Sequence, residues 1–243
     1  MKQLLIIGAT SDIALALANK YASSGYNLVL AARNVRALDS FAHSIRLTYK
    51  VNVEVYEFDV TAFDSHESFY KNISHKPDGV LVTVGYLGNQ KKGEHDFDET
   101  LKIIETNYTG CVSILNIIAN DMLKRKSGFI VGVSSVAGDR GRKENYLYGS
   151  AKSAFTQYLS GLRSRLAKEK ITVLTVKPGF VKTKMTANLK LPSILTASTE
   201  RVARDIYYAQ QRGQTVVYTK WFWKYIMLFI KHIPEGIFNK YVS

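Results

Sequence analysis

The feature that most constrains what this chain can become is a regular alternation of short apolar runs with helical patterns. The apolar runs fall at about 4–7, 28–31, 53–58, 80–84, 129–134, 171–176 and 215–218, and they read as strands. Residues 4–7 are apolar throughout, as expected of a parallel strand buried on both faces. Helical patterns fill the gaps at roughly 12–23, 34–49, 62–73, 96–126, 146–168 and 199–212. Strict β–α alternation calls for a parallel sheet of about seven strands with helices on both faces. The 243 residues suffice for one domain with a substantial core, and no internal repeat, low-complexity tract or linker divides them.

Ligands on such a sheet bind outside the carboxyl ends of the strands. Gly8, Arg33, Asp59, Gly85, Ser135 and Pro178 each follow a strand end, so they are expected to converge on one rim. The segment Lys2-Gln-Leu-Leu-Ile-Ile-Gly8-Ala-Thr-Ser-Asp-Ile-Ala14 runs from a strand through a turn into an alanine-rich helix. There Gly8, Thr10, Ser11, Asp12 and Ile13 would receive a pyrophosphate on backbone N–H groups. Asp12 and Ala14 stand where further glycines are usual, so this segment alone also fits an ordinary βα turn. Asp12 adds negative charge near such a site, unless its carboxylate caps the helix start.

A second constellation lies beyond the middle of the chain. In Asn145-Tyr-Leu-Tyr-Gly-Ser-Ala-Lys152, Tyr148 and Lys152 are four positions apart and share a helix face. A fixed cation nearby stabilises phenolate and makes the tyrosine a better proton-transfer group near neutral pH. Ser135, thirteen residues upstream, would hold a carbonyl oxygen beside that phenol. Tyr-x-x-x-Lys is common by itself and takes its weight from the upstream segments. Ser134 competes with Ser135, and Tyr146 with Tyr148, although the fourth neighbour of Tyr146 is Ser150, which cannot tune a phenol.

Together these segments resemble the short-chain dehydrogenase/reductase family over nearly the whole chain. The resemblance implies a Rossmann-type doubly wound α/β fold and makes Ser135, Tyr148 and Lys152 the catalytic serine, tyrosine and lysine. Asn107, in Ile104-Glu-Thr-Asn-Tyr-Thr-Gly110, matches the family's helix asparagine, which kinks its helix and positions a water in the proton relay. A plain helix-surface amide is the alternative there. Pro178-Gly179-Phe-Val181-Lys-Thr183 matches the family's segment beside the nicotinamide, and Asp59-Val60 the pair near the adenine. By the same resemblance, hydride passes to a ketone carbon while Tyr148 donates a proton to its oxygen. Lys152 lowers the phenol pKa and holds the nicotinamide ribose, and Ser135 donates to the developing alkoxide. No metal is called for.

The second strand ends Leu28-Val-Leu-Ala-Ala32-Arg33-Asn34. An NAD-preferring site places a carboxylate here; Ala32 offers none, and the next acid, Asp39, is already inside the following helix. Arg33 offers a guanidinium fork suited to a 2′-phosphate, unless it is merely a surface residue. NADP(H) is therefore the expected cofactor, with reduction the working direction. One departure from the family is Val82-Thr-Val-Gly85, where many relatives carry Asn-Asn-Ala-Gly. Gly85 keeps close cofactor approach open, but nothing in the sequence replaces the bracing those asparagines give the central strands.

Basic residues number 33 against 20 acidic, a net charge of +13. They are scattered rather than arrayed on one element, so nucleic acid is not an expected partner. The single cysteine, Cys111, excludes an internal disulfide, fits a reducing compartment and reads as a buried core thiol. Met1-Lys-Gln runs directly into the first strand, so no signal peptide is expected. Residues 182–198 form a long connection near the site, which in this family often closes over substrate.

Residues 220–243 stand apart in composition from a catalytic unit of 1–219. Lys220-Trp-Phe-Trp-Lys224-Tyr-Ile-Met-Leu-Phe-Ile-Lys231-His-Ile-Pro234 crowds aromatic and aliphatic side chains between lysines. Its uninterrupted apolar run, 225–230, falls short of the roughly 20 residues that span a bilayer. It fits an amphipathic helix in the membrane interface, or one packed on the core or across a dimer. Pro234 and Gly236 should interrupt or end that helix. This tail, with Val84-Gly-Tyr-Leu-Gly-Asn-Gln90, resembles decaprenylphosphoryl-2-keto-pentose reductases. That likeness implies a ketone on a polyprenyl-phosphate-linked sugar, a cytoplasmic protein peripheral to the inner membrane face, and a partner oxidase. A homo-oligomer is expected by analogy within the family. Reduction of another hydrophobic ketone, acyl or steroid-like, is one alternative. A non-catalytic nucleotide-binding subunit is another, opposed by the intact Asn107, Ser135, Tyr148 and Lys152 set.

Overall fold

The computed structural model of the protein describes residues 1–187 and 189–241. Seven strands form one sheet: β1 (Gln3–Ile7), β2 (Asn27–Ala32), β3 (Val53–Glu57), β4 (Gly79–Val82), β5 (Phe129–Val133), β6 (Thr172–Pro178) and β9 (Val216–Thr219). Their order is β3-β2-β1-β4-β5-β6-β9, and every neighbouring pair is parallel. Two short strands, β7 (Phe180–Val181) and β8 (Thr196–Ala197), pair with each other across the long connection.

Period-two alternation divides the core. Leu4 and Ile6 of β1 join one cluster with α1 (Asp12–Ala22), α2 (Asp39–Tyr49) and α8 (Thr199–Gln211). Leu5 and Ile7 join the other, with α3 (His66–Asn72), α6 (Gly110–Arg125) and α7 (Tyr146–Leu166). Cys111 lies in this second cluster, and desolvation pushes its thiol up to about 11, as fits an inert core residue. Because β1 lies between β2 and β4, the chain winds outward from it in both directions, which opens a crevice at the carboxyl ends of β1 and β4.

The missing asparagine pair has a replacement. Thr83 donates its hydroxyl to the carbonyl of Ile7 at 2.8 Å and to that of Gly8 at 3.2 Å, while its N–H also reaches Ile7. One side chain thus ties the end of β4 to the end of β1. Gly8 turns there at φ +83°, and a Cβ on it would lie 2.9 Å from the Val84 nitrogen. Only glycine fits at that crossing.

The expected helix over 96–126 is in fact two. After a short helix α4 (Gln90–Gly93), α5 (Phe97–Ile104) passes through a π turn, Glu105–Thr109, into α6. Asn107 sits inside that turn, which widens the helix locally.

The C-terminal segment folds as α9 (Trp223–His232) and α10 (Glu235–Tyr241), with Pro234 in the break between them. Trp223 and Met227 are buried against Val136, with Phe180, Leu195 and Tyr218 around them. Gly179 makes room for this, since a Cβ there would meet the Trp223 ring at 2.0 Å. Arg140 closes the carboxyl end of α9 by donating to the carbonyls of Ile230, Lys231 and Ile233, and it also pairs with Glu235 at 2.7 Å. The opposite face leaves Trp221, Tyr225, Leu228 and Phe229 exposed, Phe229 by 72%. No helix among the described residues is long and apolar enough to cross a membrane.

Candidate active site

A cavity of about 560 Å³ opens along the carboxyl rim of the sheet. Its walls include every residue expected there from the sequence except Asn107: Gly8, Thr10, Ser11, Asp12, Ile13, Arg33, Asp59, Val60, Gly85, Ser135, Tyr148, Lys152, Pro178, Gly179, Val181 and Thr183. The six residues that follow strand ends do converge, because parallel strands deliver their carboxyl ends to one side.

At one end, α1 points its N-terminus into the cavity. Ser11 caps it, accepting from the Ala14 N–H at 3.1 Å. Asp12 is therefore not the cap. Its carboxylate crosses to the long connection, accepts the Lys184 N–H at 2.6 Å and lies 3.9 Å from the Lys184 ammonium. Arg33 stands exposed at the end of β2, with Asp59 near it. Partial burial raises the Asp59 carboxyl, but hydrogen bonds from Thr61 and the charge of Arg33 outweigh it and hold the group below its usual range.

At the other end lie Ser135, Tyr148 and Lys152. Both Ser134 and Ser135 line the cavity, but the Ser134 hydroxyl is taken up by the Lys152 carbonyl at 2.9 Å and Thr156 at 2.7 Å. Tyr146 is exposed and outside the cavity, whereas Tyr148 lines it. Lys152 is buried, and its ammonium donates to the carbonyls of Val84 at 3.1 Å and Val133 at 3.2 Å.

Burial is the largest influence on both ionisable groups. Desolvation pushes Tyr148 up to about 12, opposed only by the Ser135 hydroxyl. The Lys152 ammonium sits 5.7 Å from the tyrosine ring centre and is itself lowered to about 8, chiefly by burial. Desolvation disfavours the charged form of each.

The Asn107 side chain is spent on backbone. Its amide group donates to the carbonyls of Tyr86 at 2.7 Å and Ile103 at 2.8 Å, and its oxygen accepts the Tyr86 N–H at 3.1 Å. It is wholly buried and braces the loop after β4 from beneath the cavity floor. Glu99 holds the same loop by accepting from the Tyr86 hydroxyl at 2.8 Å and the Asn89 N–H at 2.9 Å. Sequence reasoning missed Thr83 and Glu99 as braces, and missed Tyr86, Lys102, Arg142 and Met185 as lining residues. None belongs to a spaced motif, so only a buried-acid or strand-end argument had any purchase on them.

The short chain dehydrogenase family profile matches residues 2–193. An oxidoreductase of Mycobacterium tuberculosis, itself uncharacterized, is 33% identical over 239 residues, 97% of this chain and 95% of that protein. The chain belongs to the short-chain dehydrogenase family. Among solved structures, a short chain dehydrogenase from Burkholderia cenocepacia in complex with NADP matches with a TM-score of 0.85 at 18% identity, over 100% of both chains. One from Sphingobium yanoikuyae in complex with NADPH matches with a TM-score of 0.83 at 20% identity, over 97% of this chain and 98% of that one. These likenesses bear on the fold of this dehydrogenase.

Proposed function

We propose that this oxidoreductase uses NADPH to reduce a ketone to a secondary alcohol, on a polyprenyl-phosphate-linked 2-keto sugar at a membrane surface. The observation that carries the reading is one cavity with an α1 N-terminus and Arg33 at one end and Ser135, Tyr148 and Lys152 at the other. NADPH-bound and NADP-bound structural neighbours support the cofactor assignment.

The donor set suits such a dinucleotide. The N–H groups at the start of α1 favour a pyrophosphate. The Arg33 fork, with Ala32 in place of an acid, favours a 2′-phosphate. Asp59 and Val60 would hold the adenine end, and Pro178, Gly179, Val181 and Thr183 the nicotinamide end. When bound, the cofactor supplies the hydride.

The chain's own residues supply the rest. A phenol held near 12 stays protonated at neutral pH, as a proton donor to a reduced carbonyl must. Ser135 would donate to the same oxygen as charge develops on it. Lys152, fixed by two carbonyls, would place a cation beside phenol and ribose.

For the substrate, α9 offers an exposed aromatic and aliphatic face between Lys220, Lys224 and Lys231, in a chain of net charge +13. Trp and Tyr with flanking lysines favour the interface of an anionic bilayer. The test is NADPH oxidation with a keto-sugar lipid and simple ketones side by side, with vesicle flotation. Faster turnover of the lipid and flotation with anionic vesicles are expected. Equal turnover of small ketones with no flotation would reject the lipid substrate, and no turnover of any carbonyl would reject the reductase reading.

A further inference from the structure

The segment from Pro178 to Val181 lies between the cavity and the C-terminal part of the chain. All four of its residues line the cavity. A Cβ on Gly179 would meet the Trp223 ring, with Cε2 at 2.0 Å and Nε1 at 2.1 Å. The φ of Gly179 is not in the left-handed region, so the indole, not the backbone, excludes a side chain there. Phe180 meets the same indole edge to face, with ring centres 5.3 Å apart.

The other edge of the indole is also committed. Its Nε1–H donates to the Leu195 carbonyl at 3.2 Å, in the 182–198 connection, and the Lys220 ammonium donates to the neighbouring Ile194 carbonyl at 2.7 Å. Leu195 directly precedes β8, which pairs with β7 at Phe180 and Val181. Trp223 therefore touches both strands of the small sheet's approach to the cavity, one through its ring and one through its N–H. Simple core filling needs only an apolar side chain of the right size; a bonded indole also fixes the orientation of what it touches. Trp223 is buried, whereas Trp221, two residues before it, is exposed. It also lies outside residues 2–193, the span that the family profile matches.

We infer that Trp223 is a positioning residue for the nicotinamide ring, acting through the backbone of Gly179 and Phe180 and through the Leu195 carbonyl. The inference rests on the ketoreductase reading for the reaction that the ring performs, but not for where the ring is held. The α1 turn and Arg33 grip the other end of the dinucleotide, so loosening this end should tilt the ring more than release the cofactor. A reacting centre displaced in that way loses rate out of proportion to binding.

The experiment uses the fluorescence of NADPH itself, which reports how firmly its reduced ring is held and needs no ketone. Affinity, the anisotropy of bound NADPH, and kcat with cyclohexanone are compared well below the Tm of each protein. Trp223→Leu should lower the anisotropy of the bound cofactor and cut kcat about tenfold to a hundredfold, with NADPH affinity kept within about threefold. Trp223→Phe threatens the fold least; it keeps a ring on Gly179 and gives up the N–H, so both readouts should fall between native and Trp223→Leu. Gly179→Ala should impair both readouts in the native protein but add little to Trp223→Leu, because the ring it would strike is gone. A Tm loss in Trp223→Leu with anisotropy and kcat within about twofold of native would overturn the inference, as that is the mark of mere packing. Losses that add in the double variant would also overturn it, as would NADPH affinity falling as far as kcat. If the native protein turns over no carbonyl, the reductase reading fails, and the anisotropy of bound NADPH decides this inference without it.

Discussion

The turn at 8–13, Arg33 and Asp59–Val60 sit at the ends of three neighbouring parallel strands. The opposite side of the cleft is lined from the 139–145 loop and the connection after β7, with α9 packed against Val136, Phe180 and Leu195, and these belong to no regular repeat of the fold. On the first side, backbone position fixes what a residue can reach, and side chains refine it. On the second, position depends on individual contacts, such as Arg140 on α9 or Gly179 beneath Trp223. One half is general to the fold, and the other is where this chain's specificity is built.

The sharpest break between the two halves is expected at the tyrosine where they meet. Tyr148→Phe should cut turnover by about 10²–10⁴-fold, the usual scale for a positioned proton donor, with NADPH affinity kept. Turnover within a factor of about three of native, on that same scale, would remove Tyr148 from its role. Next in size is a contrast inside α9. Met227→Ala, at a fully buried site, should cost about 2–5 kcal/mol, whereas exposed Phe229→Ala should stay within about 0.5 kcal/mol and weaken vesicle binding instead. Thermal denaturation and flotation of the pair decide it; equal Tm losses would mean that α9 has no outward-facing role.

Cofactor choice lies wholly on the regular side. Arg33→Ala should raise the NADPH KM by roughly tenfold or more and leave the NADH KM nearly unchanged, since a single guanidinium–phosphate contact is lost. Equal changes for both cofactors would reduce Arg33 to a surface residue.

The seven strands and their parallel pairing were legible because a continuous apolar run and a βα period admit few alternatives. The π turn at Asn107 was not legible in the apolar period, although the motif around it implied a kinked helix. The cleft residues at strand ends were legible for the reason that makes the fold regular. Asn107 was found by motif and its contacts were not, because a buried amide takes whatever backbone passes beside it. Thr83 escaped notice as a brace because a threonine at a strand end reads as ordinary β composition.

Lys152 gives a pH test that spans both halves. Burial lowers its ammonium to about 8, so the cationic form is complete below that value and is lost as pH rises through it. Tyr148, held near 12, remains protonated over the same range. For ketone reduction, kcat/KM should therefore be flat from about pH 6 to 7 and fall up to about tenfold per unit above 8. A plateau that persists to about pH 10 would show that the reaction does not need the lysine cation.

The smallest expected effect concerns the contact that joins the two halves across the cavity mouth. Asp12 belongs to the cofactor turn, and Lys184 to the connection over the substrate end. The Lys184 side chain is 85% exposed, so its ammonium at 3.9 Å adds little, and the 2.6 Å bond from the backbone N–H holds the link. Asp12→Asn leaves an oxygen able to accept that N–H but removes the charge, and with it much of the bond's strength. The link should loosen, seen as faster amide exchange at Lys184. The same change removes a negative charge beside the pyrophosphate end, so NADPH affinity should rise severalfold, on the scale of one partly screened charge near a protein surface. Faster exchange with unchanged affinity would mean that the carboxylate acts only on the connection. Weaker NADPH binding would mean that a closed connection contributes more to holding the cofactor than the carboxylate's repulsion takes away.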